Sequence, residues 1–263
     1  MLLTTIFILV GIAATVTTYA LCPCLSLWWV LLLIPAYYLA AVVLYLIWLF
    51  TTILLTDGTN PSPRLIRFYH WCEIHTLGWL LILLGVRCQL KGEEHIPTDR
   101  PYLLVCNHRS AFDPITTVAL FKRCNMCFVC KPEILRVPIL GPAMLRAGFF
   151  PIDRENPRNA VTAIKHAAQV ITEQKRCVGI YPEGTRTKNE GEMLPFHAGS
   201  FKIAKMADCP VVVASVRVKP RGLFPSAVEL RVLDVMDETY VKDNNTATLA
   251  QRAEDTIKAD LGI

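Results

Sequence analysis

The first 56 residues contain no Asp, Glu, Lys, Arg or His, and this uncharged stretch constrains the fold more than any other part of the sequence. A helix that crosses the hydrocarbon core of a bilayer needs roughly 20 apolar residues. Two segments of that length are present, at residues 2–20 and 27–55, separated by Cys22-Pro23-Cys24. We therefore predict that residues 1–56 form a membrane anchor of two hydrophobic helices, arranged as a transmembrane or membrane-embedded hairpin.

The composition of the whole chain agrees with a membrane protein, since 53% of its 263 residues are hydrophobic and its mean hydropathy is +0.38. A cleaved signal peptide is the alternative, because its apolar core also lies at the N terminus. No Lys or Arg precedes the first apolar run, however, and a second, longer run follows it. The first cations after the anchor, which include Arg64 and Arg67, favour a location of the remaining chain on the cytoplasmic face of the membrane.

Residues 57–91 mix aromatic, basic and apolar side chains, among them Arg64, Trp71 and Trp79. Such a segment is typical of an interfacial, amphipathic connecting helix, with aromatic rings at headgroup depth and cations toward anionic lipid. The alternative is a third buried helix that packs the following domain onto the anchor. Both interpretations keep that domain on the membrane.

Residues 92–263 alternate short apolar runs with amphipathic segments, which is typical of an α/β domain. The predicted strands are residues 102–106, 126–130, 149–152, 178–181, 211–218 and 228–235. The predicted helices are residues 115–121, 156–174, 199–207 and 248–261. Because strands and helices alternate, we predict a mostly parallel sheet covered by helices.

A histidine and a carboxylate lie five residues apart where the strand at 102–106 ends. Five residues on one helix would place the side chains of His108 and Asp113 about 140° apart, so a turn must bring them together. Asp113 followed by Pro114 predicts a helix start with Asp113 as its N-cap. His108 then lies on a strand-to-helix loop, where ligands usually meet an α/β sheet. Taken alone, a histidine at the end of a strand is more often a hydrogen-bonded polar residue than a base, and Asp113 as a helix cap needs no catalytic role.

Two further stretches suit anion binding. One is Gly148-Phe149-Phe150-Pro151-Ile152-Asp153-Arg154, and the other is Tyr181-Pro182-Glu183-Gly184-Thr185-Arg186. The planar guanidinium of arginine matches a phosphate in a bidentate contact, and Gly184 allows the backbone to approach an anion closely. For Arg154 alone, a surface ion pair with Asp153 or Glu155 is the alternative.

Taken together and in this order, these stretches resemble the glycerolipid acyltransferases typified by 1-acylglycerol-3-phosphate acyltransferase. The resemblance covers roughly residues 92–218. It rests on a His-x-x-x-x-Asp motif at His108 and Asp113, a phenylalanine–arginine motif that ends at Arg154, and Glu-Gly-Thr-Arg at residues 183–186. A proline-led apolar strand at residues 210–216 matches a fourth motif of that family.

The resemblance implies a membrane-bound acyltransferase of phospholipid biosynthesis. It would transfer a fatty acyl group from a thioester donor, acyl-CoA or acyl carrier protein, to the 2-hydroxyl of 1-acylglycerol 3-phosphate (lysophosphatidic acid), giving phosphatidic acid. His108 would accept the hydroxyl proton, and Asp113 would orient the imidazole. The residues implied at the phosphate and glycerol of the acceptor are Arg154, Glu183, Gly184, Thr185 and Arg186. The resemblance implies no metal and no organic cofactor.

Two other functions stay open at this point. Within the same family, the acceptor of the acyl group could be another lyso-lipid or glycerol 3-phosphate. In a different class, the chain could be a non-catalytic lipid-binding protein of the membrane, although the intact pair of His108 and Asp113 counts against that function. We find no motif for nucleic-acid binding.

The chain has ten cysteines, and the spacing of Cys124, Cys127 and Cys130 resembles that of metal ligands. Cys127 and Cys130 fall on a predicted strand, however, where residues three apart point to opposite faces. We therefore expect reduced thiols that pack as small apolar side chains, and no metal site.

Overall fold

The structure, a computed structural model, describes residues 2–22, 26–122, 124–152, 157–187, 189, 191–222 and 224–263. The chain divides into two compact units, Met1–Asn60 and Pro61–Ile263. Pro23 and Cys24 of the predicted hairpin turn lie outside the described residues, and so does Arg154.

The first unit contains the two predicted hydrophobic helices, α1 (Leu2–Leu21) and α2 (Leu27–Leu55), which pack against each other. The segments Leu2–Leu21 and Leu32–Leu55 are long and apolar enough to cross a membrane. The helices approach closely at Gly11, where a side chain would lie 3.3 Å from the carbonyl oxygen of Ile34. The hydroxyls of Thr18 and Tyr37 form a hydrogen bond of 2.7 Å between the helices. Small residues and such hydrogen bonds are typical of helix pairs in lipid.

The second unit alternates helices and strands. Its helices are α3 (Pro63–Leu83), α4 (Phe112–Leu120), α5 (Leu140–Arg146), α6 (Pro157–Thr172), α7 (Lys202–Ala207), α8 (Glu238–Asp243) and α9 (Thr246–Leu261). Its strands are β1 (Arg87–Lys91), β2 (Leu103–Cys106), β3 (Cys127–Cys130), β4 (Phe150–Pro151), β5 (Val178–Ile180), β6 (Val211–Arg221) and β7 (Phe224–Met236). Within the described residues the strands form one sheet in the order β1-β7-β6-β2-β5-β3-β4.

The strand directions confirm the predicted α/β fold with a mostly parallel sheet. The pairs β2–β5, β2–β6, β3–β5, β3–β4 and β1–β7 are parallel, and β6–β7 is antiparallel. All four residues of β2 are fully buried between β5 and β6. The carboxyl ends of β2, β3 and β5 therefore meet at one edge of the sheet, and this edge carries His108.

Some elements differ from those predicted. The sheet includes β1, which precedes the predicted start of the α/β domain at residue 92, and α5 was not predicted. The predicted helix at 199–207 starts as a 3-10 turn, Ala198–Phe201, before α7. Helix α3 buries Ile66, Tyr69 and Cys72 within the second unit, whereas Trp71 is 45% exposed.

Candidate active site

His108 follows β2 directly, and its neighbour Asn107 fixes the end of that strand. The side-chain amide of Asn107 donates to the carbonyl oxygen of Val216 at 3.0 Å, and the backbone N–H of Val216 donates to its Oδ1 at 2.7 Å. Asn107 is fully buried. The two bonds therefore continue the pairing of β2 with β6 beyond the strand and hold the backbone that leads into His108.

The turn after His108 brings Asp113 to the imidazole, as the sequence predicts. Nδ1 of His108 lies 2.9 Å from Oδ2 of Asp113. The same oxygen accepts hydrogen bonds from the backbone N–H groups of Arg109, at 2.6 Å, and Ser110, at 2.7 Å. Because the Asp113 side chain is fully buried, these charge-assisted contacts are shielded from solvent, and they tie the loop to one carboxylate oxygen.

The prediction that Asp113 is the N-cap of the helix is wrong. Helix α4 begins at Phe112, and the residue in the capping position, Ala111, makes no side-chain hydrogen bond. Asp113 lies one residue into the first turn, and its carboxylate points back to the preceding loop. The reason is that the loop offers two backbone donors and an imidazole within reach of one oxygen.

The contact with Asp113 decides which ring nitrogen of His108 is left without a partner in the protein. When Nδ1–H donates to the carboxylate, Nε2 is left as the proton acceptor. Among the described residues Nε2 has no hydrogen-bond partner, and the His108 side chain is 17% exposed. The pair therefore has the geometry that general-base chemistry requires, an imidazole held by a carboxylate with Nε2 left open.

An aromatic ring supports the imidazole from one side. The rings of His108 and Tyr181 stack with centroids 4.3 Å apart and an angle of 19° between their planes. Phe128 stacks on Tyr181 in turn, with centroids 5.5 Å apart. Burial raises the pKa of the Tyr181 phenol well above its usual value, so this ring stays neutral and acts by packing.

Glu183 connects the loop of His108 to the loop that follows β5. Its Oε1 accepts from the backbone N–H of His108 at 2.6 Å. Its Oε2 accepts from the hydroxyl of Thr187 and from the backbone N–H of Leu194 at 3.1 Å. Glu183 is only 3% exposed, and the backbone N–H of Thr187 donates to the carbonyl oxygen of His108 at 2.9 Å. The carboxylate thus holds two loops together from the inside.

The remaining residues of the Glu-Gly-Thr-Arg motif lie at the surface. Gly184 adopts a left-handed conformation with φ of +76°, and its N–H donates to the carbonyl oxygen of Tyr181 at 3.1 Å. This turn exposes Thr185 and Arg186 to solvent. Of the predicted site residues, the structure therefore joins His108, Asp113 and Glu183 by direct hydrogen bonds and places Gly184, Thr185 and Arg186 on the adjoining turn.

The sequence matches a family described as Acyltransferase over residues 87–217. The 1-acyl-sn-glycerol-3-phosphate acyltransferase alpha of Homo sapiens is 36% identical over 178 residues, which are 65% of this chain and 62% of the human protein. The Bos taurus protein of the same name is 32% identical over 178 residues, with 65% of this chain and 61% of the bovine protein covered. The chain belongs to the Acyltransferase family.

Two further relatives extend the comparison. The 1-acyl-sn-glycerol-3-phosphate acyltransferase of Saccharomyces cerevisiae is 27% identical over 196 residues, which are 72% of this chain and 61% of the yeast protein. The chain thus spans about three fifths of the length of these relatives. The crystal structure of the 1-acyl-sn-glycerophosphate (LPA) acyltransferase PlsC from Thermotoga maritima has the same fold, with a TM-score of 0.62 and 20% identity over 86% of this chain and 91% of that one.

Two cysteines of the cluster at Cys124, Cys127 and Cys130 lie on β3 near backbone carbonyl groups. Sγ of Cys127 lies 3.8 Å from the carbonyl oxygen of Cys177, and Sγ of Cys130 lies 3.5 Å from that of Phe150. Within the part of the chain that the structure describes, no group of three or more His, Cys, Asp or Glu side chains could hold a metal ion.

Three residues of the site were not predicted from the sequence. Asn107, Tyr181 and Thr187 contact His108 or the groups that hold it. Asn107 and Tyr181 each stand at the carboxyl end of a buried strand, and this position is the signal that could have identified them. Thr187 has no such signal, because its role depends on how the turn at Gly184 folds.

Proposed function

We propose that the chain is a membrane-bound 1-acylglycerol-3-phosphate O-acyltransferase. In this reaction an acyl group moves from a thioester donor, acyl-CoA or acyl carrier protein, to the 2-hydroxyl of lysophosphatidic acid, and the product is phosphatidic acid. The hydrogen bond of 2.9 Å between His108 and the buried Asp113 is the observation that carries the proposal. It is supported by family membership and by the names of the relatives.

In the proposed mechanism Nε2 of His108 takes the proton of the acceptor hydroxyl as its oxygen attacks the thioester carbon. The carbon–sulfur bond then breaks, and the thiolate leaves with the proton that the imidazolium returns. Asp113 stabilises the imidazolium between these steps and keeps Nε2 toward the substrate. The acceptor itself supplies the nucleophile, so the enzyme needs no serine or cysteine for this purpose.

We assign binding of the acceptor phosphate to Arg186 and Arg154. The exposed guanidinium of Arg186 lies on a turn that shares Glu183 with the His108 loop, which supports its assignment, and Arg154 is assigned from its motif. Contacts of this kind orient the hydroxyl toward the base and can supply several kcal/mol of the barrier reduction. Substrate binding by Glu183 stays a prediction, and its three hydrogen bonds to protein groups suggest a second role, in positioning His108.

We propose that the two helices of the first unit anchor the enzyme in the bilayer from which the lipid acceptor comes. The cations that follow the anchor support a catalytic domain on the cytoplasmic face. The reaction as written requires no metal and no organic cofactor.

The decisive experiment is acyl transfer by the detergent-solubilised full chain from labelled acyl-CoA to lysophosphatidic acid, with other lyso-lipids and glycerol 3-phosphate as acceptors and acyl carrier protein as a second donor. His108→Ala is the test variant, and His95→Ala, which removes an exposed histidine, is its control. We expect transfer to lysophosphatidic acid that is lost only in His108→Ala. Activity on another acceptor alone would move the protein to that specificity, and no transfer to any acceptor would favour a lipid-binding protein.

A further inference from the structure

Strands β6 and β7 extend past β2 at the edge of the sheet that carries His108. β2 pairs with β6 only as far as Ala214, whereas the pairing of β6 with β7 continues to Arg221 and Phe224. Because β6 runs parallel to β2, its later residues project beyond the end of β2. We call residues 217–221 of β6 with 224–229 of β7 the overhang. The family match ends at residue 217, so nearly all of the overhang lies outside it.

A cationic cavity lies where the overhang meets the start of β1. Its volume is about 300 Å³, and it is lined by Gly85, Arg87, Lys219, Arg221, Ser226 and Ala227. Three of these residues are cations with exposed side chains, and none is acidic. The cavity therefore has an uncompensated positive charge, which favours an anionic ligand.

Other cations on the same strands are paired with acids. Lys91 lies 2.6 Å from Glu229, and both Arg217 and Arg231 contact Asp260. Among the described residues, Arg87, Lys219 and Arg221 have no such ion pair. Arg221 is instead fixed by a hydrogen bond of 2.9 Å from its Nη2 to the carbonyl oxygen of Leu84, a contact that holds the guanidinium in place at the cavity.

Two exposed apolar side chains directly precede Leu84, whose carbonyl oxygen binds Arg221. Ile82 is 47% exposed and Leu83 is 62% exposed at the end of α3, directly before the carbonyl group that holds Arg221. Cations beside exposed apolar side chains are typical of surfaces that meet lipid headgroups, because the charges bind phosphate while the apolar groups enter the acyl region.

We propose that Arg87, Lys219 and Arg221 bind the phosphate of an anionic phospholipid headgroup, with Ile82 and Leu83 against its apolar part. The lipid is distinct from the acyl acceptor, and its site lies at the same edge of the sheet as His108. The inference rests on the proposed function only in that an enzyme which acylates lipids works at a bilayer surface.

The test is calorimetric titration of the full chain in a nonionic detergent with short-chain phosphatidylglycerol. Short-chain phosphatidylcholine and inorganic phosphate are the comparison ligands. The first variant, Lys219→Gln with Arg221→Gln, removes two charges from the cavity. The second, Arg87→Gln with Lys219→Gln, leaves the bond from Arg221 to Leu84 intact.

A matched control removes two exposed lysines from helices outside the cavity, in Lys165→Gln with Lys202→Gln. We expect phosphatidylglycerol to bind at least about tenfold more weakly to both cavity variants, since each loses two charge-assisted contacts to phosphate. The control should change the affinity less than about twofold, because its charges are remote and screened by salt.

Three results would overturn the proposal. The first is an affinity for phosphatidylglycerol that is unchanged in both cavity variants. The second is a wild type that binds phosphatidylcholine as tightly as phosphatidylglycerol. The third is inorganic phosphate that binds as tightly as the lipid, which would make free phosphate the ligand. The titration needs no turnover. Failure of acyl transfer in the wild type would therefore refute the proposed function and leave the binding result standing.

Discussion

Replacement of Glu183 by glutamine tests whether this carboxylate positions the base or binds the substrate. Its two oxygens serve three donors, the N–H of His108, the hydroxyl of Thr187 and the N–H of Leu194. A glutamine offers one acceptor oxygen, so either orientation of the amide turns an NH₂ group toward a buried N–H. A buried donor without an acceptor costs about 1–3 kcal/mol, and the bonds that persist lose their charge-assisted strength.

We therefore expect Glu183→Gln to lower the free energy of unfolding by about 2–4 kcal/mol. For a unit of this size the loss corresponds to a decrease in Tm of about 5–15 °C, measurable by intrinsic fluorescence in detergent. Because the N–H of His108 either faces the NH₂ group or keeps only a neutral acceptor in place of the carboxylate, the His108 loop shifts, and kcat should fall by about 100-fold, the effect of a small misplacement of a catalytic group. KM for lysophosphatidic acid should stay within about twofold, since only the positioning of the base has changed.

The control for this experiment is Arg186→Gln. Because Arg186 is exposed, the Arg186→Gln protein should keep the Tm of the wild type. The loss of a phosphate contact should raise its KM for lysophosphatidic acid by about tenfold or more. If Glu183→Gln instead kept the Tm and raised KM as Arg186→Gln does, the carboxylate would face the substrate and the positioning argument would be refuted.

Three further predictions concern other parts of the second unit. Asp113→Asn should lower kcat by about 10²–10⁴-fold, because the imidazolium of His108 loses its counter-charge. Initial rates at saturating substrate measure this effect, and an unchanged kcat would contradict the assignment of His108 as the base. Burial raises the pKa of Glu73 above its ordinary value of 4.5, so its contribution to stability is complete below about pH 4.5 and is lost as the pH rises through the folded-state pKa. Glu73→Gln should therefore raise Tm at pH 8 and leave it nearly unchanged at pH 4.5, and a lower Tm at pH 8 would disprove this. Burial also raises the pKa of Cys130 and Cys209 to about 12, so both thiols should resist iodoacetamide at pH 8 until the protein is unfolded, as read by mass spectrometry; labelling of the folded protein would show that they are accessible.

The parts of the fold that follow from local pattern were predictable. The uncharged stretch at residues 1–56 predicted both hydrophobic helices. The alternation of apolar runs with amphipathic segments in residues 92–263 predicted the α/β class and most of the strands. β1 was missed because its five residues, of which two are basic, carry little hydrophobic signal. α5 was missed because Gly141 and Pro142 in its first turn are typical of loops, although proline is tolerated there.

The candidate site was predictable only where its residues are close in sequence. The pairing of His108 with Asp113 follows from one short turn, but the direction of the Asp113 carboxylate depends on which backbone donors the folded loop presents. The contacts of Asn107 with Val216, 109 residues away, depend on β6 lying beside β2. The strand order arises from the packing of the whole sheet, so these contacts could not be read from the local sequence.

The hydrogen bonds around His108 also bear on protein engineering. Its backbone N–H is held by Glu183, its carbonyl group by Thr187, and the preceding side chain by Val216. These partners belong to β6 and to the loop after β5, both distant from His108 along the chain. A peptide with the His-x-x-x-x-Asp motif, transplanted onto another scaffold, would carry the imidazole and its carboxylate without the framework that fixes them. A transplant that keeps this arrangement of His108 and Asp113 thus has to include the partners from β6 and from the loop after β5, with the buried Glu183 among them.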